Sequence, residues 1–223
     1  MYCIKAFYEN TELHFEDLTA NSYNFSAFDE LKKYSRAIAL DIFHYLTDED
    51  GEEIGERVQV AEIRGRIFDN TRIMNDLATY IGISDYYGVD EEGALVNLFK
   101  YVEDKEDINP DKECKDLYDM YLERFWVEPE FRGKGIASFI LDNLRNILSA
   151  QLSIEIGAVI TYPKPEYPKN EGEKQIWATY PELEETMYNI MKHTFVTHGY
   201  EEKYGGNWFI RDYAQDEINE DTE

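Results

Sequence analysis

The chain has 223 residues, 43% of them hydrophobic and 15% aromatic, which is enough apolar material for a packed core of one large or two small domains and excludes wholesale disorder. Its 47 acidic against 22 basic residues give a formal charge of −25, which disfavours general phosphate-mediated binding to nucleic acid and favours attraction of cations. Cys3 and Cys114 cannot form a disulfide framework or a zinc spacing and the four histidines are scattered, so no metal is expected and a reducing cytoplasm is the natural setting.

Residues 1–10 mix Lys5 and Glu9 with apolar side chains and read as neither signal peptide nor anchor; no run is long enough to span a membrane. Residues 2–8 read as a first strand, 26–34 as a short helix on Phe28, Leu31 and Tyr34, and 36–46 as a strand. A turn over 48–53 leads into a strand over 56–68, and this hairpin is expected at the centre of a sheet. Val58 and Val60 fall on one parity and Ile63 and Ile67 on the other, which predicts a bulge near Ala61 and Glu62.

Residues from about 69 to 117 read as a helical insertion. Ile73, Met74, Leu77 and Ile81 recur at helical spacing, as do Ala94, Leu95, Leu98 and Val102, and Asn109-Pro110-Asp111 supplies the closing turn. Such an insert can wall a substrate pocket or cover a sheet edge.

Residues 118–127 have the Tyr, Leu, Phe, Trp and Val content of a buried strand, and Pro129 ends it for want of an N–H. After a turn, Ile136, Phe139, Ile140, Leu144, Ile147 and Leu148 define an amphipathic helix. Between them, Gly133 and Gly135 allow a tight turn, while the first helical N–H groups have no intrahelical partner, an arrangement suited to a phosphate. Residues 154–162 form a short apolar run suited to the next, parallel strand. Residues 183–197 form a helix with Met187, Ile190, Met191, Thr194 and Phe195 on one side, capped by Gly199. Residues 200–204 and 207–213 flank Gly205-Gly206 as a hairpin, and 214–223 form an acidic tail.

The run Arg132-Gly133-Lys134-Gly135-Ile136-Ala137, with Val127 five residues before Arg132, resembles the acetyl-coenzyme A loop of the GCN5-related N-acetyltransferase (GNAT) superfamily. His198-Gly199-Tyr200 is similar to that superfamily's helix-ending Gly-Phe signature, so the resemblance spans about 118–213. It implies an α/β (α+β) fold with a mixed, mainly antiparallel central sheet flanked by helices, here as a single domain over 1–213. It further implies that Phe125, Trp126 and Val127 pair with the pantetheine arm while Arg132, Gly133, Lys134, Gly135, Ile136 and Ala137 hold the pyrophosphate. Arg132 and Lys134 also supply the local positive potential that an anionic coenzyme needs on a surface of this charge.

The implied reaction is acetyl transfer from acetyl-coenzyme A to an amine by direct attack in a ternary complex, with a small amine or a protein amine as acceptor. An amine of pKa near 10.4 is only about one part in 2,500 neutral at pH 7, a cost of about 4.6 kcal/mol, so a base is useful. In the superfamily, such groups stand eleven and nine residues before the loop Arg, positions held here by Tyr121 and Glu123. Glu123 is the candidate base, directly or through water, against the alternative that it pairs with Arg124, Arg64 or another cation of the sheet. Tyr121 is expected as a pocket wall or core aromatic rather than as an acid. A strand amide near Val127 would polarise the carbonyl.

One departure stands out. The superfamily's proton donor to the leaving thiolate is a Tyr four residues before the helix-ending Gly, and this chain has Phe195 there; Tyr188, Tyr200 and Tyr204 are the other hydroxyls nearby. That departure, with the acidic surface, supports a second class of function: a non-catalytic or weakly active acyl-coenzyme-binding protein acting through a basic protein partner. A third keeps the transfer but changes the acyl group, against which bulky Phe125 and Trp126 argue. His193 and His198 read as helix-end residues, and the loop Tyr162-Pro163-Lys164-Pro165 as a rigid surface segment whose aromatics can hold a cation.

Overall fold

The computed structural model describes residues 11–17, 34–47, 53–75, 100–101, 104, 118–163, 182–204 and 207–213. Within these, the strands are β1 (Thr11–Asp17), β2 (Ser35–Thr47), β3 (Glu53–Asp69), β4 (Tyr118–Val127), β5 (Ile156–Thr161), β6 (Glu201–Lys203) and β7 (Trp208–Asp212), and the longer helices are α2 (Ile136–Leu152) and α3 (Glu182–Thr197). A short α1 (Asn70–Asn75) follows β3.

The strands form one sheet in the order β1-β2-β3-β4-β5-β7-β6. Every pair is antiparallel except β4–β5. This is the mixed, mainly antiparallel, helix-flanked sheet that the resemblance implies. Alternation decides which face is apolar: Ile38, Leu40 and Ile42 of β2 and Ile63 and Ile67 of β3 pack with Met120 and Leu122 of β4 against Ile140, Leu144 and Leu148 of α2, and each is at most 1% exposed. α3 adds Phe195 to this core, and Phe195 O accepts from Tyr200 N across a Gly199 of φ 79°, closing the helix as expected.

Several details differ from the expectations. The bulge in the hairpin falls at Val60, one residue earlier than Ala61, because Ile42 faces Ala61 and Phe43 faces Gln59; Val60 and Ala61 are accordingly both buried in succession. β3 begins at Glu53, three residues earlier than expected, and β5 is trimmed at both ends to Ile156–Thr161. β1 at Thr11–Asp17 is additional. The expected strand over 2–8, the tail and most of the insertion lie outside the described residues, as do the expected helix over 26–34 apart from Tyr34 and the Gly205-Gly206 turn. Lys100, Tyr101 and Asp104 of the insertion are helical.

Candidate active site

β4 supports the site, and its two halves differ. From Tyr118 to Leu122 it runs parallel to β5, and the ladder ends where Leu122 faces Thr161. There the Thr161 hydroxyl donates to Leu122 O at 3.0 Å, closing the ladder with a side chain. Beyond that point β4 continues to Val127 with β3 as its strand partner among the described residues. Burial changes at the same place: Asp119 to Leu122 are all buried, then Glu123 is exposed and Arg124 and Phe125 are half-buried. The β4–β5 ladder therefore ends just before Glu123, and the wedge expected for the coenzyme would begin there.

A bulge sits at this opening. Arg64 faces Arg124 and Gly65 faces Leu122, so Glu123 is the extra residue on β4. Gly65 makes the bulge possible, because a Cβ there would collide with the Tyr121 carbonyl oxygen and lie 2.7 Å from Met120 Cε. Sequence reasoning passed over Gly65, although a glycine inside a strand pattern is the usual signal for such an approach.

At the far end of β4, Glu128 N donates to Val60 O at 2.9 Å, and Pro129–Phe131 form a 3₁₀ turn. Gly133 (φ 70°) and Gly135 (φ 83°, ψ 4°) are both left-handed, and Gly135 is the N-cap of α2. No side chain caps that helix and its first turn holds no acidic residue, so the positive end of its dipole is uncompensated from within. Arg132 is held in place twice: its Nε donates to Val127 O at 2.9 Å, and its guanidinium lies 4.5 Å from the centre of the Trp126 ring. Lys134 Nζ lies 4.8 Å from the Phe131 ring centre. Ile136 anchors the turn in the core at 3% exposure, whereas Ala137 is half-buried. The structure thus brings together at one end of β4 the loop residues singled out in the sequence.

The face of the sheet opposite α2 is polar around β3 and β4. Arg66 Nε donates to Glu123 Oε1 at 2.9 Å, so the candidate base is ion-paired with a cation of the neighbouring strand. Arg64 bonds Asp41 at 2.9 Å and approaches Glu62 at 3.5 Å, and Arg124 lies 3.2 Å from Glu62. Arg66, like Gly65, went unrecognised in the sequence, since only the strand register sets it beside the site. Tyr121 is 8% exposed, with its ring centre 5.9 Å from that of Trp208.

The tyrosines available to replace the missing donor are placed differently. Phe195 itself is 2% exposed, with its ring centre 6.3 Å from that of Phe125 and 5.0 Å from that of Tyr200. Burial pushes the Tyr200 hydroxyl well above the usual phenol range, with Tyr213 and Arg211 as its electrostatic neighbours. Those two residues lie at or next to Asp212, which faces Ala158, at the closed end of the sheet and away from the wedge. The Tyr204 hydroxyl is raised by burial and by donation to Asp104 Oδ2 at 2.9 Å. The Tyr188 hydroxyl on α3 is buried without a hydrogen-bond partner among the described residues, and desolvation raises it too. His198 Nδ1 lies 2.6 Å from Asp142 Oδ1 and links α3 to α2, while His193 is exposed. Among the described residues no group of three or more His, Cys, Asp or Glu side chains is arranged to hold a metal, and no helix is long and apolar enough to cross a membrane.

No protein-family model and no curated protein matches the chain. Solved structures to which it is similar include AtaTR bound with AcCoA, at 11% identity and TM-score 0.36 over 95% of this chain and 98% of that one. A tyrosine-to-phenylalanine mutant of KacT is similar at 10% identity and TM-score 0.37, over 93% and 99%. A polyamine N-acetyltransferase of Drosophila melanogaster is similar at 14% identity and TM-score 0.30, over 74% and 70%.

Proposed function

We propose that the protein is a GNAT-type N-acyltransferase that uses acetyl-coenzyme A to acetylate an amine. The observation that carries this reading is the junction of β4 and α2: two left-handed glycines lead into an uncapped, acid-free helix N-terminus at the end of a strand that has just left its parallel neighbour. The amides of 133–137 would hold the pyrophosphate, with Arg132 and Lys134 offsetting the repulsion of a chain of charge −25. Residues 125–127, beyond the last β4–β5 pair, would take the pantetheine arm.

The bound thioester supplies the activated acyl carbon. The chain's part is to remove a proton from the acceptor ammonium, orient the nitrogen and limit competing hydrolysis. Glu123, at the bulge and half-turned to solvent, would take that proton once it shares or releases its contact with Arg66. The nitrogen then bonds to the acyl carbon and the carbon–sulfur bond breaks. With Phe195 in place of a hydroxyl, the departing thiolate takes its proton from water. That same Phe195 is the specific observation favouring a second reading, a coenzyme-binding protein with little turnover that acts through a basic partner. Incubation with radiolabelled acetyl-coenzyme A and an amine panel separates the two: label on an amine supports the transferase, and saturable coenzyme binding without any acetylated amine supports the binding protein.

A further inference from the structure

Three aromatic rings meet where β4 and β5 part. The ring centre of Trp208 lies 5.9 Å from that of Tyr121 and 5.3 Å from that of Tyr162. The register sets all three on one face: Tyr121 faces Ile160, Tyr162 lies two residues beyond Ile160 on β5's path, and Trp208 precedes the Phe209 that faces Thr161, level with Tyr162. They share the sheet face of Arg66, the register partner of Tyr121, and therefore lie beside the Arg66–Glu123 pair. Trp208 and Tyr121 are 9% and 8% exposed, so the cluster is largely buried and apolar. The insertion reaches the same corner, since Asp104 accepts from Tyr204, next to the Lys203 that faces Trp208.

Among the described residues, the carboxylates on the β3–β4 part of this face are ion-paired. Asp41 and Glu62 both meet Arg64, Glu62 also meets Arg124, and Glu123 meets Arg66, giving three carboxylates against three guanidinium groups. A polyamine or a lysine-rich peptide gains affinity from several carboxylates free to receive successive ammonium groups, and Asp41, Glu62 and Glu123 each already face a guanidinium. A single ammonium attached to an apolar body gains instead from ring faces and from burial.

From this we infer that Tyr121, Tyr162 and Trp208 form the acceptor floor, and that they select a monoamine with an aromatic or bulky apolar body over polyamines and basic peptides. The inference rests on the transferase reading above. The whole chain, saturated with desulfo-coenzyme A, is titrated calorimetrically with 2-phenylethylamine, spermidine and a lysine-rich peptide. Saturable binding of phenylethylamine, at least tenfold tighter than the other two, is the expected result. Trp208→Leu should weaken phenylethylamine at least tenfold while acetyl-coenzyme A affinity stays within twofold, and Trp208→Phe should recover most of the loss. If Trp208→Leu fails to fold, Tyr162→Leu, just outside β5, makes the same test. Equal or tighter binding of spermidine or peptide, an indifferent Trp208→Leu, or coenzyme binding without any amine binding would each overturn the inference. Failure of acetyl-coenzyme A itself to bind would instead remove the transferase reading on which it stands.

Discussion

Glu123 Oε1 lies 2.9 Å from Arg66 Nε, across a strand boundary and at the one residue of β4 left over when its register with β3 shifts. The bulge thus leaves the carboxylate bonded to the guanidinium of the neighbouring strand, just past the last β4–β5 pair.

If Glu123 takes the acceptor proton, Glu123→Gln should lower kcat/KM by about a hundredfold near pH 7, the usual worth of a positioned base. The deficit should narrow as pH rises toward about 10, where the amine deprotonates in bulk water and needs no base. Stability should move little, since a partly exposed ion pair contributes about 0–1 kcal/mol. A pH–rate profile parallel to that of the unaltered protein would remove Glu123 from this role.

Gly65→Ala should destabilise the protein by about 1–3 kcal/mol, because the added methyl presses on the Tyr121 carbonyl and on Met120 Cε. Since β4 must shift to relieve it, turnover should fall along with the denaturant midpoint. An unchanged midpoint would mean that β3 and β4 are not packed as closely as described.

Phe195→Tyr introduces a hydroxyl at a position only 2% exposed, beside Phe125 and Tyr200. Stability should fall by about 1–3 kcal/mol if the hydroxyl finds no partner. In compensation, kcat should rise about tenfold or more, because a proton donor now stands where the superfamily has one. A lower melting temperature with no gain in kcat would mean that thiolate protonation does not limit the proposed transfer.

Arg132→Ala deletes both the bond to Val127 O and the stack on Trp126. The coenzyme Kd should rise about ten- to a hundredfold, the worth of one charge-assisted hydrogen bond, with a smaller effect in high salt. Equal affinity at low salt would place the pyrophosphate elsewhere.

The sequence was most legible where a signal is local. β4 occupies 118–127 as expected, α3 begins within one residue of its expected start, and the loop between β4 and α2 has the left-handed glycines its pattern requires. The bulge expected near Ala61 and Glu62 falls at Val60, since parity counting locates a phase change only to within a residue or so. β1, with Leu13 and Phe15 among acidic and polar residues, is too short for its alternation to stand out. The partners of the candidate site were hidden for a different reason. Arg66 lies 57 residues from Glu123 and Thr161 lies 39 from Leu122, and only the assembled register brings each pair together.

The central claim is that the β4–α2 junction binds acetyl-coenzyme A, and titration calorimetry of the unaltered protein beside Gly135→Val tests it most directly. Gly135 has φ 83° at the N-cap of α2, so valine there strains the turn and fills the space a phosphate would approach. The account predicts saturable, one-to-one, micromolar binding to the unaltered protein and none to Gly135→Val, with the circular dichroism of the two alike. Absence of binding to the unaltered protein, or equal affinity in both, would contradict it.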